Sequence, residues 1–213
     1  MTPSRRFINT LLFDWDGTLV DSAQLGLNAY EKVFAELGIP FDHETYKNVY
    51  SPNWLSVYEG MGLPQEQWPR ADKLWTQHYG EQSAALIKGA GDTIAELQHR
   101  GYRLGVVSSG NDSRVNREIK ELGLAGFFEV VVCHEQIKNR KPHPEGLEIA
   151  MRSLGCTQIE VGYVGDAPED IEMGKRAGVF TIGVRSAYPT SWKLETQHPD
   201  LLIEFLPELL DHF

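Results

Sequence analysis

An α/β fold, with a doubly wound parallel sheet of Rossmann-like type and an inserted all-helical domain, is predicted by three observations. Short, almost wholly apolar runs at 11–13, 104–107, 130–133, 161–164 and 180–184 suit strands covered on both faces. Helical patterns at 92–100, 112–122, 144–154 and 168–177 separate the later runs, and strand–helix alternation implies parallel pairing through crossovers. Between the first run and this rhythm lies a block, 22–87, with helical periodicity and no buried-strand run.

Taken in order, the first run ends in Asp14-Trp15-Asp16-Gly17-Thr18, a strand delivering two carboxylates into a loosened loop. The inserted block opens with Leu27, Tyr30, Phe34 and Leu37 at helical spacing. Within it, Tyr50-Ser51-Pro52-Asn53-Trp54 interrupts two helical runs and is the candidate loop for reaching a site. The α/β rhythm resumes at Gly89. Gly101, Gly123, Gly155 and Gly178 each follow a helical run, as left-handed helix ends prefer. A last strand and helix are expected at 201–203 and 206–210. The division is therefore a core of 1–21 and 88–213 around an insertion of 22–87.

The chain has 213 residues and a formal net charge of −10, enough for a sizeable core. The acidic balance argues against a nucleic-acid partner, which would favour a basic face. An anionic ligand would have to be attracted locally. Cys133 and Cys156 sit in apolar surroundings and read as reduced packing residues. Basic residues in 1–9 are followed by no apolar signal core, and no stretch has the length of a membrane span. A cytoplasmic protein without a membrane partner is expected. Oligomeric state is not legible.

Four segments carry chemistry. In an extended strand, residues two apart point the same way, so Asp14 and Asp16 can face one pocket at the strand's carboxyl end. Two such charges repel and need a cation or a shared proton; Mg²⁺, a hard ion with oxygen ligands, meets that need. Ser108 and Ser109 end the second run with small hydroxyls and backbone N–H groups suited to phosphoryl oxygens. Lys141 precedes Pro142-His143-Pro144, which restricts the backbone around it and lets the lysine act as a fixed point charge. Gly165-Asp166 closes the fourth run, with Asp170 four residues on. Lys138, Arg140 and Glu169 read as solvated charges.

In these segments and their order the chain resembles the haloacid-dehalogenase-like hydrolases, in the branch of phosphoglycolate phosphatases and β-phosphoglucomutases. The resemblance covers essentially the whole chain, and is weak between residues 22 and 87. It implies that Asp14 is the nucleophile, forming an acyl phosphate, and that Asp16 is the general acid and base. It implies phosphate binding by Ser108, with Ser109 beside it, and by Lys141. It implies metal ligation by Asp14, Asp166 and the backbone carbonyl of Asp16, with Asp170 supporting the ligands. An aspartate at position 16 favours phosphate-ester chemistry. The implied function is Mg²⁺-dependent hydrolysis of a small phosphorylated metabolite under a helical cap, with Asn53 and Trp54 as candidate specificity residues. Alternatives are a phosphosugar mutase of the same family and, from another class, a phospho-accepting signalling module. The resident acid/base at position 16 and the helical insertion stand against the latter.

Overall fold

The computed structural model describes residues 7–213; the opening residues read for a leader lie partly outside that range. After β1 (Thr10–Phe13) the chain forms α1 (Ala23–Glu36), α2 (His43–Val49), α3 (Trp54–Gly60) and α4 (Trp68–Gly80). It then alternates through α5 (Ala90–His99), β2 (Arg103–Val107), α6 (Asp112–Glu121), β3 (Val130–Val132), α7 (Glu145–Leu154), β4 (Val161–Gly165), α8 (Pro168–Ala177) and β5 (Phe180–Val184). The closing pair is β6 (Leu201–Ile203) and a 3₁₀ turn over Leu206–Asp211, tighter than the expected α-helix.

The six strands form one sheet in the order β3-β2-β1-β4-β5-β6, with every pairing parallel. Alternation along the strands divides the core. Leu11, Phe13, Leu104, Val106 and Ile182 face α5, α6 and the C-terminal turn. Leu12, Val107, Val161 and Tyr163 face Leu147, Ala150 and Met151 of α7 and Met173 of α8. Both sheet faces are covered, which is why the strands read as nearly continuous apolar runs.

Topology also locates the site. Strand order reverses beside β1, so a crevice opens between the carboxyl ends of β1 and β4, the place where ligands bind in such sheets. Phe13 pairs with Val106 on one side and Val164 on the other. One residue beyond Phe13 and two beyond Val106 and Val164, the three strands run out at the same end of the sheet. The residues at those positions are Asp14, Ser108 and Asp166.

Helices α1–α4 enclose an apolar cluster of their own, including Tyr30, Val33, Phe34, Tyr46, Val57 and Tyr58. The chain leaves and re-enters the sheet region along adjacent paths. Asp21 N–H donates to the Ala85 carbonyl at 2.9 Å and Ile87 N–H to that of Leu19 at 2.9 Å.

Candidate active site

The loop after β1 is held tightly. Leu19 and Val20 N–H groups both donate to the Trp15 carbonyl at 3.0 Å, and Gly17 N–H donates to Val20 at 2.8 Å. Gly17 has φ +83°, and a Cβ there would stand 2.4 Å from Asp166 Oδ2 and 2.6 Å from the Tyr188 ring. The turn thus needs glycine for both backbone conformation and space. Gly165 serves a second close approach. A Cβ there would lie 2.4 Å from that of Asp170, so its absence lets Asp170 fold against the end of β4. Asp170 then accepts from Tyr163 Oη at 3.1 Å and Ala167 N–H at 3.0 Å.

Each carboxylate of the first motif has its own cation. Lys141 Nζ lies 2.5 Å from Asp14 Oδ1 and 2.7 Å from Asp170 Oδ1. Arg114 makes a two-pronged contact with Asp16, at 3.0 Å from Nη1 to Oδ1 and 2.5 Å from Nη2 to Oδ2. The charge problem foreseen between Asp14 and Asp16 is met by two separate ion pairs. Arg114 was not singled out in the sequence. Its one available signal is Glu118, four residues on along α6, a spacing that brings side chains together on a helix. Glu118 is buried and also accepts from Trp15 Nε1 at 2.7 Å. The intervening tryptophan therefore anchors the loop from its other side.

Electrostatics separates the two aspartates. Burial pushes the Asp14 carboxyl up to about 7, with Asp170 adding to the rise and Lys141 opposing it. Burial also acts against ionised Asp16, but Arg114 overcomes it and holds that carboxyl below its ordinary value. Asp166 is raised well above its ordinary value by burial and by the charges of Asp14 and Asp170. It accepts from Ser186 Oγ at 2.6 Å and Thr18 Oγ1 at 3.3 Å. Despite burial, Asp14 and Asp170 keep Lys141 charged.

Asp14, Asp166 and Asp170 offer oxygens within 4.8 Å of one another. Lys141 pairs with Asp14 and Asp170 and leaves Asp166 without an ion pair among the described residues, so three buried carboxylates stand beside one ammonium, a donor set that fits a hard cation. The Asp16 side chain stands apart from this trio, paired to Arg114. The metal role implied for Asp16 concerned its backbone carbonyl only.

These residues open on a cavity of about 270 Å³, near the lower end of small-ligand pockets (roughly 300–1,000 Å³). Asp14, Asp16, Ser108, Ser109, Arg114 and Asp166 line its floor, and Tyr30, Trp54, Tyr58, Trp75 and Tyr79 line it from the helical insertion. Ser108 Oγ accepts from Gly110 N–H at 2.9 Å. Asn111 caps α6 by accepting from Arg114 N–H at 3.2 Å.

Three expectations require correction. Asn53 does not line the cavity; at the start of α3 its amide donates to Ser56 Oγ at 3.2 Å, a local use typical of helix starts. Glu169 is not a free surface acid, because Ser51 Oγ donates to it at 2.9 Å. Arg140 is not simply solvated. Its guanidinium carbon lies 3.7 Å from the centre of the Trp54 ring, a cation–π contact.

The family model for haloacid dehalogenase-like hydrolases matches residues 11–184. The chain belongs to this family. Among relatives of this hydrolase is pyrophosphatase PpaX of Listeria monocytogenes, 31% identical over 207 residues and covering 95% of both chains. A protein described as a predicted phosphoglycolate phosphatase from Haemophilus somnus shares the fold, with a TM-score of 0.85, 20% identity and 98% coverage of both chains. CbbY from Rhodobacter sphaeroides, solved in complex with phosphate, superimposes with a TM-score of 0.81 at 23% identity, over 95% of this chain and 96% of that one. No helix among the described residues is long and apolar enough to cross a membrane.

Proposed function

We propose that this hydrolase is a Mg²⁺-dependent phosphatase that cleaves a small phosphorylated metabolite through a phospho-Asp14 intermediate. One observation carries the reading: Asp14 lies at the sheet's switch point with Lys141 at 2.5 Å, inside the buried carboxylate trio. The relatives named for pyrophosphate and phosphoglycolate favour phosphorus as the centre attacked. Asp14 Oδ attacks phosphorus in line, and the ester oxygen departs with a proton from Asp16. Water then attacks the acyl phosphate, Asp16 takes its proton, and inorganic phosphate leaves with Asp14 regenerated. Bound between Asp14, Asp166 and the Asp16 carbonyl, Mg²⁺ would neutralise carboxylate and phosphoryl charge. Ser108, Ser109 and Lys141 orient the phosphoryl oxygens, and Asp170 holds Lys141 in place. The separate apolar cluster of residues 22–87 and its two adjacent crossings support a cap that covers the leaving group. Two free cysteines among the described residues suit a reducing compartment such as the cytoplasm.

Arg114 keeps Asp16 ionised, ready to accept a proton; to donate one, Asp16 must loosen from the guanidinium and first take up a proton from solvent. Asp16→Asn is therefore expected to cut turnover of alkyl phosphates by about 10²–10⁴-fold, with a far smaller loss of the first step on p-nitrophenyl phosphate. Burst kinetics on both esters measure this. Equal losses would remove Asp16 as the acid.

Metal dependence has its own sign. A carboxyl raised in the folded state contributes stability at low pH, which is lost as pH climbs through the folded value. Without metal, the unfolding temperature should thus fall between about pH 4 and pH 7 as Asp14, raised to about 7, gives up its proton. Mg²⁺ should raise it more at pH 8 than at pH 5 and should restore turnover, whereas Ca²⁺ restores it poorly because it prefers longer distances and more ligands. An unfolding temperature indifferent to Mg²⁺ at pH 8 would count against ligation by the trio.

A further inference from the structure

We propose that the cavity takes a phosphomonoester whose leaving group ends in an ammonium group, read by an aromatic box closed by Asp72. The proposal rests on the phosphatase reading and names its substrate class. From the helical insertion, the cavity wall is formed mainly by rings, among them Tyr30, Trp54, Tyr58, Trp75 and Tyr79. Aromatic faces carry negative quadrupoles and attract cations, most of all those stripped of water. Asp72 is the one charged side chain that this wall supplies, among the described residues. The insertion contributes no lysine, arginine or histidine to the lining; the core adds His134, edge-on to the Trp54 ring at 5.0 Å.

A second anion on the substrate, as in phosphoglycolate or pyrophosphate, would meet rings and a carboxylate in this half of the cavity, with His134 as the one basic side chain of the lining near them. Burial raises the Asp72 carboxyl above its ordinary value, while Tyr58, Trp54, Arg140 and His134 each act to hold it ionised. No ion pair joins it to Arg140 or His134 within 4 Å among the described residues. Arg140 stacks on the Trp54 ring and is not among the lining residues. Arg114, the cation at the cavity floor, is shared between Asp16 and Glu118. The far end of the cavity therefore has aromatic faces and a carboxylate with no salt bridge within 4 Å among the described residues, the chemistry that holds an alkylammonium. Its modest volume suits an ester the size of phosphocholine or phosphoethanolamine.

The test compares kcat/KM for phosphocholine, its neutral carbon isostere dimethylbutyl phosphate, phosphoglycolate and p-nitrophenyl phosphate, using the full chain with Mg²⁺. The isostere keeps shape and removes charge. Phosphocholine should be preferred over it by about tenfold or more, a difference of about 1.4 kcal/mol. Asp72→Asn should bring that ratio near one, and Asp72→Glu should restore part of it. Choline alone should quench tryptophan fluorescence, and its Kd should weaken about tenfold in Asp72→Asn. An isostere handled as well as phosphocholine, or a preference for phosphoglycolate, would overturn the proposal. So would a choline Kd indifferent to Asp72. Saturable choline binding without turnover of any ester, p-nitrophenyl phosphate included, would leave the ammonium box standing and bring down the phosphatase reading instead.

Discussion

Replacing Asp14 by asparagine is expected to lower kcat by about 10⁴-fold or more, as removal of a covalent nucleophile does, while the protein remains folded. The amide keeps the volume of the carboxylate and can still accept a hydrogen bond from Lys141 Nζ, now 2.5 Å from Oδ1. It has no anionic oxygen with which to attack phosphorus. Because burial and neighbouring carboxylates work against the Asp14 charge, the neutral variant should be at least as stable as the parent in the absence of metal. Single-turnover assays with a radiolabelled phosphoryl group provide the direct check. The parent should retain acid-stable, hydroxylamine-labile label, and the variant none. Substantial turnover by the variant would exclude the covalent route through Asp14.

Lys141→Met should affect both catalysis and stability. The ammonium pairs with Asp14 and Asp170, and all three groups are buried. Removing one partner of a buried pair costs about 3–5 kcal/mol, because the remaining charges lose their compensation. The deficit should grow with pH. At about pH 5 Asp14, raised to about 7, keeps its proton in the parent and misses the lysine little; above about pH 7 the parent gains the ionised Asp14–Lys141 pair and the variant does not. Urea unfolding at the two pH values in the presence of a chelator measures the difference. A deficit independent of pH would assign Lys141 to packing beneath the Tyr163 ring, 5.6 Å away. In catalysis, every ester should suffer alike, since Lys141 meets the phosphoryl group and not the variable leaving group.

The sheet was legible in the sequence because strands covered on both faces leave continuous apolar runs, and the intervening helices announce parallel crossovers. For the same reason Asp14, Ser108 and Asp166 could be recognised as strand-end residues. The first two corrections concern residues whose partners lie elsewhere in the chain or within their own turn. Glu169 meets Ser51, 118 positions away, and Asn53 turns to Ser56. Arg114 shows the limit most clearly. Its partner Asp16 is 98 residues distant, and no local pattern encodes that meeting.

By itself the sequence determined the strand–helix alternation, the glycine-dependent turn and the acidic strand ends, because these depend on local geometry and period. Tertiary structure alone decided which cation serves which carboxylate, why Asp14 is raised while Asp16 is lowered, and which rings from the insertion face the floor of the cavity. Those properties depend on burial and on charges a few ångströms apart, and such distances exist only after the sheet has brought remote segments together.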